Sequence, residues 1–215
     1  MTYRLLVFDW DGTIIDSAAT ITECIRDASR ELGLEVPDRS RASHVIGLGL
    51  HDAMRMAVPG LPAERYPEFV ASYRKHFLER KDSMQLFDGM RELLERLSRK
   101  HLLAIATGKS RRGLDRDLEF HNLGPLFAAS RCADETNPKP HPAMLREIIE
   151  ELAVRKDAAL MIGDTSHDLE MARAAGVDAL AVTYGAHPEE SLRACDPLGC
   201  FSSVTQLEEW LRTNA

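Results

Sequence analysis

At 215 residues and 44% hydrophobic content, the chain is long enough for one large domain or a domain carrying an insert. A formal net charge of −7 excludes a sequence-independent nucleic-acid binder, which needs a basic surface to displace counterions. No apolar run approaches a membrane span, and the four cysteines (Cys24, Cys132, Cys195, Cys200) form no C-x-x-C pair, so a reduced, cytoplasmic chain with no membrane partner is expected.

The first element is "LLVF" (5–8), a buried-strand pattern that stops at Asp9 and Asp11. Side chains alternate along a strand, so these two carboxylates share one side if extended geometry continues. Like charges so placed call for a cation or a shared proton. The duller reading is a turn, because Asp-Gly is a common turn dipeptide. From 17 to 85 no convincing strand follows, only helical patterns such as "ITECIRDASRELG" (21–33), "LHDAMRMAV" (50–58) and "AERYPEFVASYRKHFLERK" (63–81). That stretch is too long for a structureless crossover and is expected to be a helical insert.

Beyond it, apolar runs "LLAIA" (102–106), "LFAA" (126–129), "ALMI" (159–162) and "ALAV" (179–182) alternate with helical patterns over 91–100, 113–123, 141–153 and 168–176. Strands alternating with helices imply a parallel sheet covered on both faces. The expected fold class is therefore α/β, a Rossmann-like core from 1–16 and 86–215 with a small helical domain from 17–85.

Three proposed strands end in polar residues: Asp9 and Asp11, then Thr107, then Asp164. In open parallel sheets the carboxyl edge is where ligands bind, so these groups converge on one crevice. Lys139, in "TNPKPHP", is aimed from a loop stiffened by its flanking prolines. Individually each has a bland reading as cap, turn or surface residue; their joint arrival at one edge argues for chemistry. A carboxylate can attack phosphorus to give an aspartyl phosphate, provided a divalent cation and a lysine offset the repulsion between anions. Oxygen ligands from Asp9 and Asp164 suit Mg²⁺. Asp11 can protonate the leaving alcohol and deprotonate the attacking water. Thr107 and the amide of Gly108 can hold the phosphoryl oxygens.

"DWDGT", "ATG", "PKP" and "GDTSHD", in that order, resemble the four motifs of the haloacid dehalogenase superfamily across nearly the whole chain. The resemblance implies Asp9 as nucleophile, Asp11 as acid/base, Thr107 and Lys139 as phosphoryl-holding residues, and Asp164 as a Mg²⁺ ligand together with the Asp11 main-chain carbonyl. It implies Asp168 as a support of that metal site. It also makes the insert a cap like that of the phosphoglycolate phosphatase and β-phosphoglucomutase branch. Two positions depart from the pattern: Gly108 stands where many phosphoglycolate phosphatases have Asn, and Trp10 where an aliphatic residue is common.

The expected activity is Mg²⁺-dependent hydrolysis of a small phosphorylated metabolite, 2-phosphoglycolate first, by a monomer or homodimer. A β-phosphoglucomutase-like mutase and a sugar or nucleotide phosphatase are the alternatives. "GKS" (108–110) resembles a P-loop ending, but the glycine such a loop needs is replaced by Leu103. A phospho-acceptor signalling module also places aspartates, a threonine and a lysine at a sheet edge, but needs no cap and orders those residues differently. Within the insert, "GLGLHDAMR" (47–55) offers His51 or Arg55 as groups facing the substrate, or else a plain helix–helix turn. His141 and His167 are expected to be structural or peripheral.

Overall fold

The structure, a computed structural model, describes residues 3–80 and 84–215. Six parallel strands form one sheet in the order β3-β2-β1-β4-β5-β6. They are β1 (Leu5–Phe8), β2 (Leu102–Thr107), β3 (Ala129–Cys132), β4 (Ala159–Gly163), β5 (Asp178–Val182) and β6 (Cys200–Phe201). Central β1 pairs with β2 and β4, placing Phe8 beside both Ile105 and Ile162. Alternation sends Leu6 and Phe8 into one core and Leu5 and Val7 into another on the opposite face. A strand buried on both sides has no polar positions, which is why the run reads as continuously apolar.

Helices α1 (Ala18–Glu31), α2 (Arg39–His44), α3 (Leu50–Ala57) and α4 (Tyr66–Arg80) follow β1 before the sheet resumes. Pro67 is accommodated in the first turn of α4, where its missing N–H has no partner to lose. The chain leaves and re-enters side by side: Asp16 N–H donates to the Gln85 carbonyl at 2.8 Å, and Phe87 N–H to that of Ile14 at 3.2 Å. The sheet is then wrapped by α5 (Met90–Leu97), α6 (Arg111–Phe120), α7 (Ala143–Glu151), α8 (Ser166–Ala175), α9 (Glu189–Arg193) and α10 (Val204–Asn214). Apolar residues of α7 and α8 fill the core beneath Leu5 and Val7, while those of α5, α6 and α10 fill the other, joined there by Ile21, Cys24 and Ile25 of α1.

One strand differs from its expected place. The apolar "LFAA" signal (126–129) starts on the last residue of a 3₁₀ turn, Gly124–Leu126, and only its last residue, Ala129, belongs to β3, which continues through Ser130 and Arg131. As an edge strand it has one neighbour and tolerates polar residues; Arg131 is paired to Glu147 and Glu151 of α7. β6 went unpredicted because two residues carry no readable period. All four cysteines are free thiols. Among the described residues no helix is long and apolar enough to cross a membrane.

Candidate active site

Asp9 directly follows β1, Thr107 closes β2, and Asp164 directly follows β4, so the parallel register brings all three to one carboxyl edge. This is also where the strand order reverses direction, between β1 and β4, the place where open α/β sheets bind ligands. Lys139 arrives from the loop before α7 and is fully buried. Its ammonium lies 2.8 Å from Asp9 Oδ1 and 2.6 Å from Asp168 Oδ1, as ion pairs rather than aligned hydrogen bonds. Burial alone would push that lysine down, but the two carboxylates more than reverse it and hold it above its usual value.

The three carboxylates of this cluster are unequally satisfied. Asp9 Oδ1 also accepts the Trp10 N–H at 2.6 Å, whereas Asp9 Oδ2 is buried with no hydrogen-bond partner. Asp164 accepts from Thr13 Oγ1 at 2.7 Å and from the Ala186 N–H at 2.8 Å. Asp168 closes a capping box with Thr165 at the start of α8, so it is both a helix cap and a partner of Lys139. Burial pushes Asp9 well above the usual carboxylate range, with Asp168 and Asp164 adding to the rise and Lys139 opposing it. Burial and then Asp168 push Asp164 up to about 7. The turn after β1 packs closely against Asp164: at Gly12, with φ of +83°, an added Cβ would stand 2.2 Å from Asp164 Oδ2.

Asp11 does not join this cluster. Extended geometry ends at Phe8, and the Trp10 carbonyl accepts from the N–H groups of Ile14 and Ile15 in a compact turn. The Asp11 carboxylate faces a second lysine instead: Lys109 Nζ lies 3.0 Å from each of its oxygens, and Ser17 Oγ donates to it at 2.8 Å. Lys109 Nζ also lies 3.1 Å from Asp117 of α6, and Asp117 accepts the Trp10 indole N–H at 3.3 Å. Trp10, fully buried, therefore packs in the core and also bonds a carboxylate from a distant helix. Neither Lys109 nor Asp117 stands out in the sequence.

A cavity of about 730 Å³ opens between the sheet edge and the insert. Its floor includes Asp9, Asp11, Thr107, Gly108 and Lys109; its walls are mostly apolar, with Ile25, Ile46 and Met54 among them, and Arg74, Arg112 and Arg116 also line it. His51 and Arg55 do not. Helix α3 turns Leu50, Ala53 and Met54 toward the cavity, which places His51 and Arg55 on its exposed side; His51 lies against Tyr66. The insert also explains Gly108: a Cβ there would meet the carbonyl oxygens of Gly47 and Leu48 at 2.5 Å, so the space a side chain would need is taken by insert backbone. His167 is structural, as expected. Its Nε2 lies 2.8 Å from the His44 carbonyl, and that of His187 lies 3.0 Å from the same oxygen, tying α2 to the core.

One oxygen from each of Asp9, Asp164 and Asp168 can lie within 4.8 Å of the others, three carboxylates against a single ammonium. An orphaned buried oxygen within an all-oxygen, net-negative donor set fits a hard divalent cation such as Mg²⁺. With it, the arrangement offers an unhindered carboxylate, a phosphate-sized polar floor and a second carboxylate nearby.

A family model described as haloacid dehalogenase-like hydrolase matches residues 6–182. The chain is 30% identical to a 5'-nucleotidase of Pseudomonas aeruginosa, over 100% of this chain and 98% of that one. It is 28% identical to a phosphoglycolate phosphatase of Aliivibrio fischeri, over 90% of each. A hydrolase structure from Pseudomonas syringae superposes with a TM-score of 0.89 at 19% identity, covering 100% of both chains.

Proposed function

Since this chain belongs to the haloacid dehalogenase-like hydrolases, we propose that it is a Mg²⁺-dependent phosphatase that cleaves a small phosphate monoester through an aspartyl phosphate on Asp9. The observation that carries this reading is the buried, unpartnered Asp9 Oδ2 at the sheet edge, facing a cluster whose charge is left uncompensated. Asp9, Asp164 and the Asp11 main-chain carbonyl would hold the metal, with Asp168 supporting it. Bound there, the ion supplies positive charge that offsets the repulsion between carboxylate and phosphate.

Asp9 attacks phosphorus and the bond to the leaving alkoxide breaks, while Asp11 delivers its proton to the departing oxygen. Asp11 then takes a proton from water as that water attacks phosphorus, freeing Asp9 and inorganic phosphate. Thr107, the Gly108 amide and Lys139 hold the phosphoryl oxygens in both halves. Residues 17–85 act as a cap over this floor, hinged at the paired crossings near Asp16 and Phe87, and exclude bulk water.

2-Phosphoglycolate is the first candidate substrate, in line with the name of one relative. A second class, sugar phosphates and nucleoside monophosphates, is favoured by the volume and apolar walls of the cavity, which exceed what a two-carbon leaving group fills. Comparing kcat/KM over phosphoglycolate, sugar phosphates and nucleoside monophosphates ranks these classes. EDTA should abolish hydrolysis and Mg²⁺ restore it, with Ca²⁺ a poor substitute. Mg²⁺ should also raise the Tm of the native chain and not that of Asp164→Asn. Full activity after thorough chelation would overturn the metal site.

A further inference from the structure

Behind Asp11 stands a chain of contacts that the phosphatase reaction, as written above, leaves unused. Lys109 Nζ bridges both Asp11 oxygens and Asp117, and the Trp10 indole N–H bonds Asp117 from behind. Arg116 braces the other Asp117 oxygen at 3.1 Å. The Phe77 ring of α4 lies over the same ammonium, 4.7 Å from its centroid. Lys109, Asp11 and Asp117 are each about nine-tenths buried, and the free rotation of a surface lysine is therefore denied to this one. Trp10 and Asp117, 107 positions apart, are thus linked by direct contact.

We propose that Lys109 is a positioning residue that sets the orientation of the Asp11 carboxylate for proton transfer, and that Asp117 and Trp10 fix Lys109 in turn. Held by Lys109 at both oxygens and by Ser17 at Oδ1, Asp11 has few orientations available, so its proton is delivered along one direction. Phe77 extends the device to the insert, so that the contact between α4 and the ammonium forms part of the same arrangement. This inference rests on the assignment of Asp11 as acid/base made above.

The test separates orientation of Asp11 from simple substrate binding, since Lys109 also lines the cavity. In a reaction through an aspartyl phosphate, kcat/KM reports only the steps up to departure of the alcohol. A poor leaving group needs its proton there, and p-nitrophenolate does not. Lys109→Met should therefore lower kcat/KM about 10–100-fold on the fastest alkyl phosphate of the panel, a part of what a positioned acid contributes, and leave that on p-nitrophenyl phosphate within about 3-fold. On both substrates kcat should fall, because the later hydrolytic step needs the same carboxylate. Asp117→Asn and Trp10→Phe, neither in the cavity lining, should show the same selectivity more weakly; if Lys109→Met fails to fold by thermal melting, they carry the test. Parallel losses of kcat/KM on both substrates, or no loss on either, would overturn the proposal. Asp11→Asn is measured alongside. If it lacks the leaving-group selectivity, the acid/base assignment itself fails; if it alone has it, only the role of Lys109 fails.

Discussion

Two lysines at the sheet edge are each clamped between two aspartates, and they differ in what surrounds them. Lys139, between Asp9 and Asp168, is buried behind Asp9, the one of the three that lines the cavity, with side-chain exposures of 0%, 1% and 0% for the lysine and the two acids. Lys109, between Asp11 and Asp117, retains 10%, 10% and 9%, and faces the cavity and the insert. Burial would push both ammonium groups down, and in both the carboxylates win and hold them up. The contrast separates the two aspartates of the opening motif. Asp9, proposed above to attack phosphorus, sits at the buried floor of the cavity, and Asp11, proposed to exchange protons with leaving group and water, lines the same floor with more of its side chain exposed.

That comparison predicts unequal costs. Lys139→Met strands two carboxylates in the core with no other cation among the described contacts, and should lose about 3–5 kcal/mol of stability together with all turnover. Lys109→Met leaves Ser17, Trp10 and Arg116 still donating, and should lose only about 1.5–3 kcal/mol. Chemical denaturation of both variants checks the order. Equal losses would erase the distinction between the sites.

A smaller effect is expected where insert meets core. Gly108→Ala places a methyl group against the Gly47 and Leu48 carbonyls and should cost about 1–3 kcal/mol through overpacking, with KM rising as the insert is displaced. A variant as stable as the native chain, with unchanged KM, would show that this contact is not kept in solution.

How much of this could be read from the sequence follows from how local each signal is. The central strands were legible because burial on both faces leaves an uninterrupted apolar run, and the polar residues ending them marked the site. Lys139 was legible only through its proline-flanked motif, since nothing about a lysine announces burial. Lys109 was passed over as part of an incomplete P-loop pattern: its partners lie 98 and 8 residues away, and no periodicity links them. Asp9 and Asp11 were expected to share a side if extended geometry continued; a turn begins after Phe8 instead and gives them different lysines, while both still line the cavity. His51 and Arg55, open in the sequence to a substrate-facing or a plainly exposed place, take the exposed one, because Leu50, Ala53 and Met54 of α3 define the face that lines the cavity.

A pH effect is expected at the α2 contact. Burial, and then the neighbouring His167, push His187 down to about 4 from an ordinary value near 6.5, and burial also lowers His167. Both are therefore neutral when folded and take up protons more readily when unfolded. Their contribution to stability is complete above about pH 6.5 and is lost as the pH falls toward 4, on the order of 3 kcal/mol. Melting curves at saturating Mg²⁺ should show this slope in the native chain and a shallower one in His187→Gln; identical slopes would remove the histidines from the account.

The central claim is that Asp9 carries the phosphoryl group and Asp11 carries protons. Rapid acid quench followed by intact mass measurement tests it, with p-nitrophenyl phosphate as substrate. Its leaving group needs little protonation, so Asp11→Asn should still form the aspartyl phosphate but hydrolyse it slowly, by about 10²–10⁴-fold, for want of a base. A phosphate adduct should therefore accumulate in Asp11→Asn and be absent from Asp9→Asn. An adduct in Asp9→Asn would contradict the assignment, because the residue named as nucleophile would then be dispensable for the bond it is said to form.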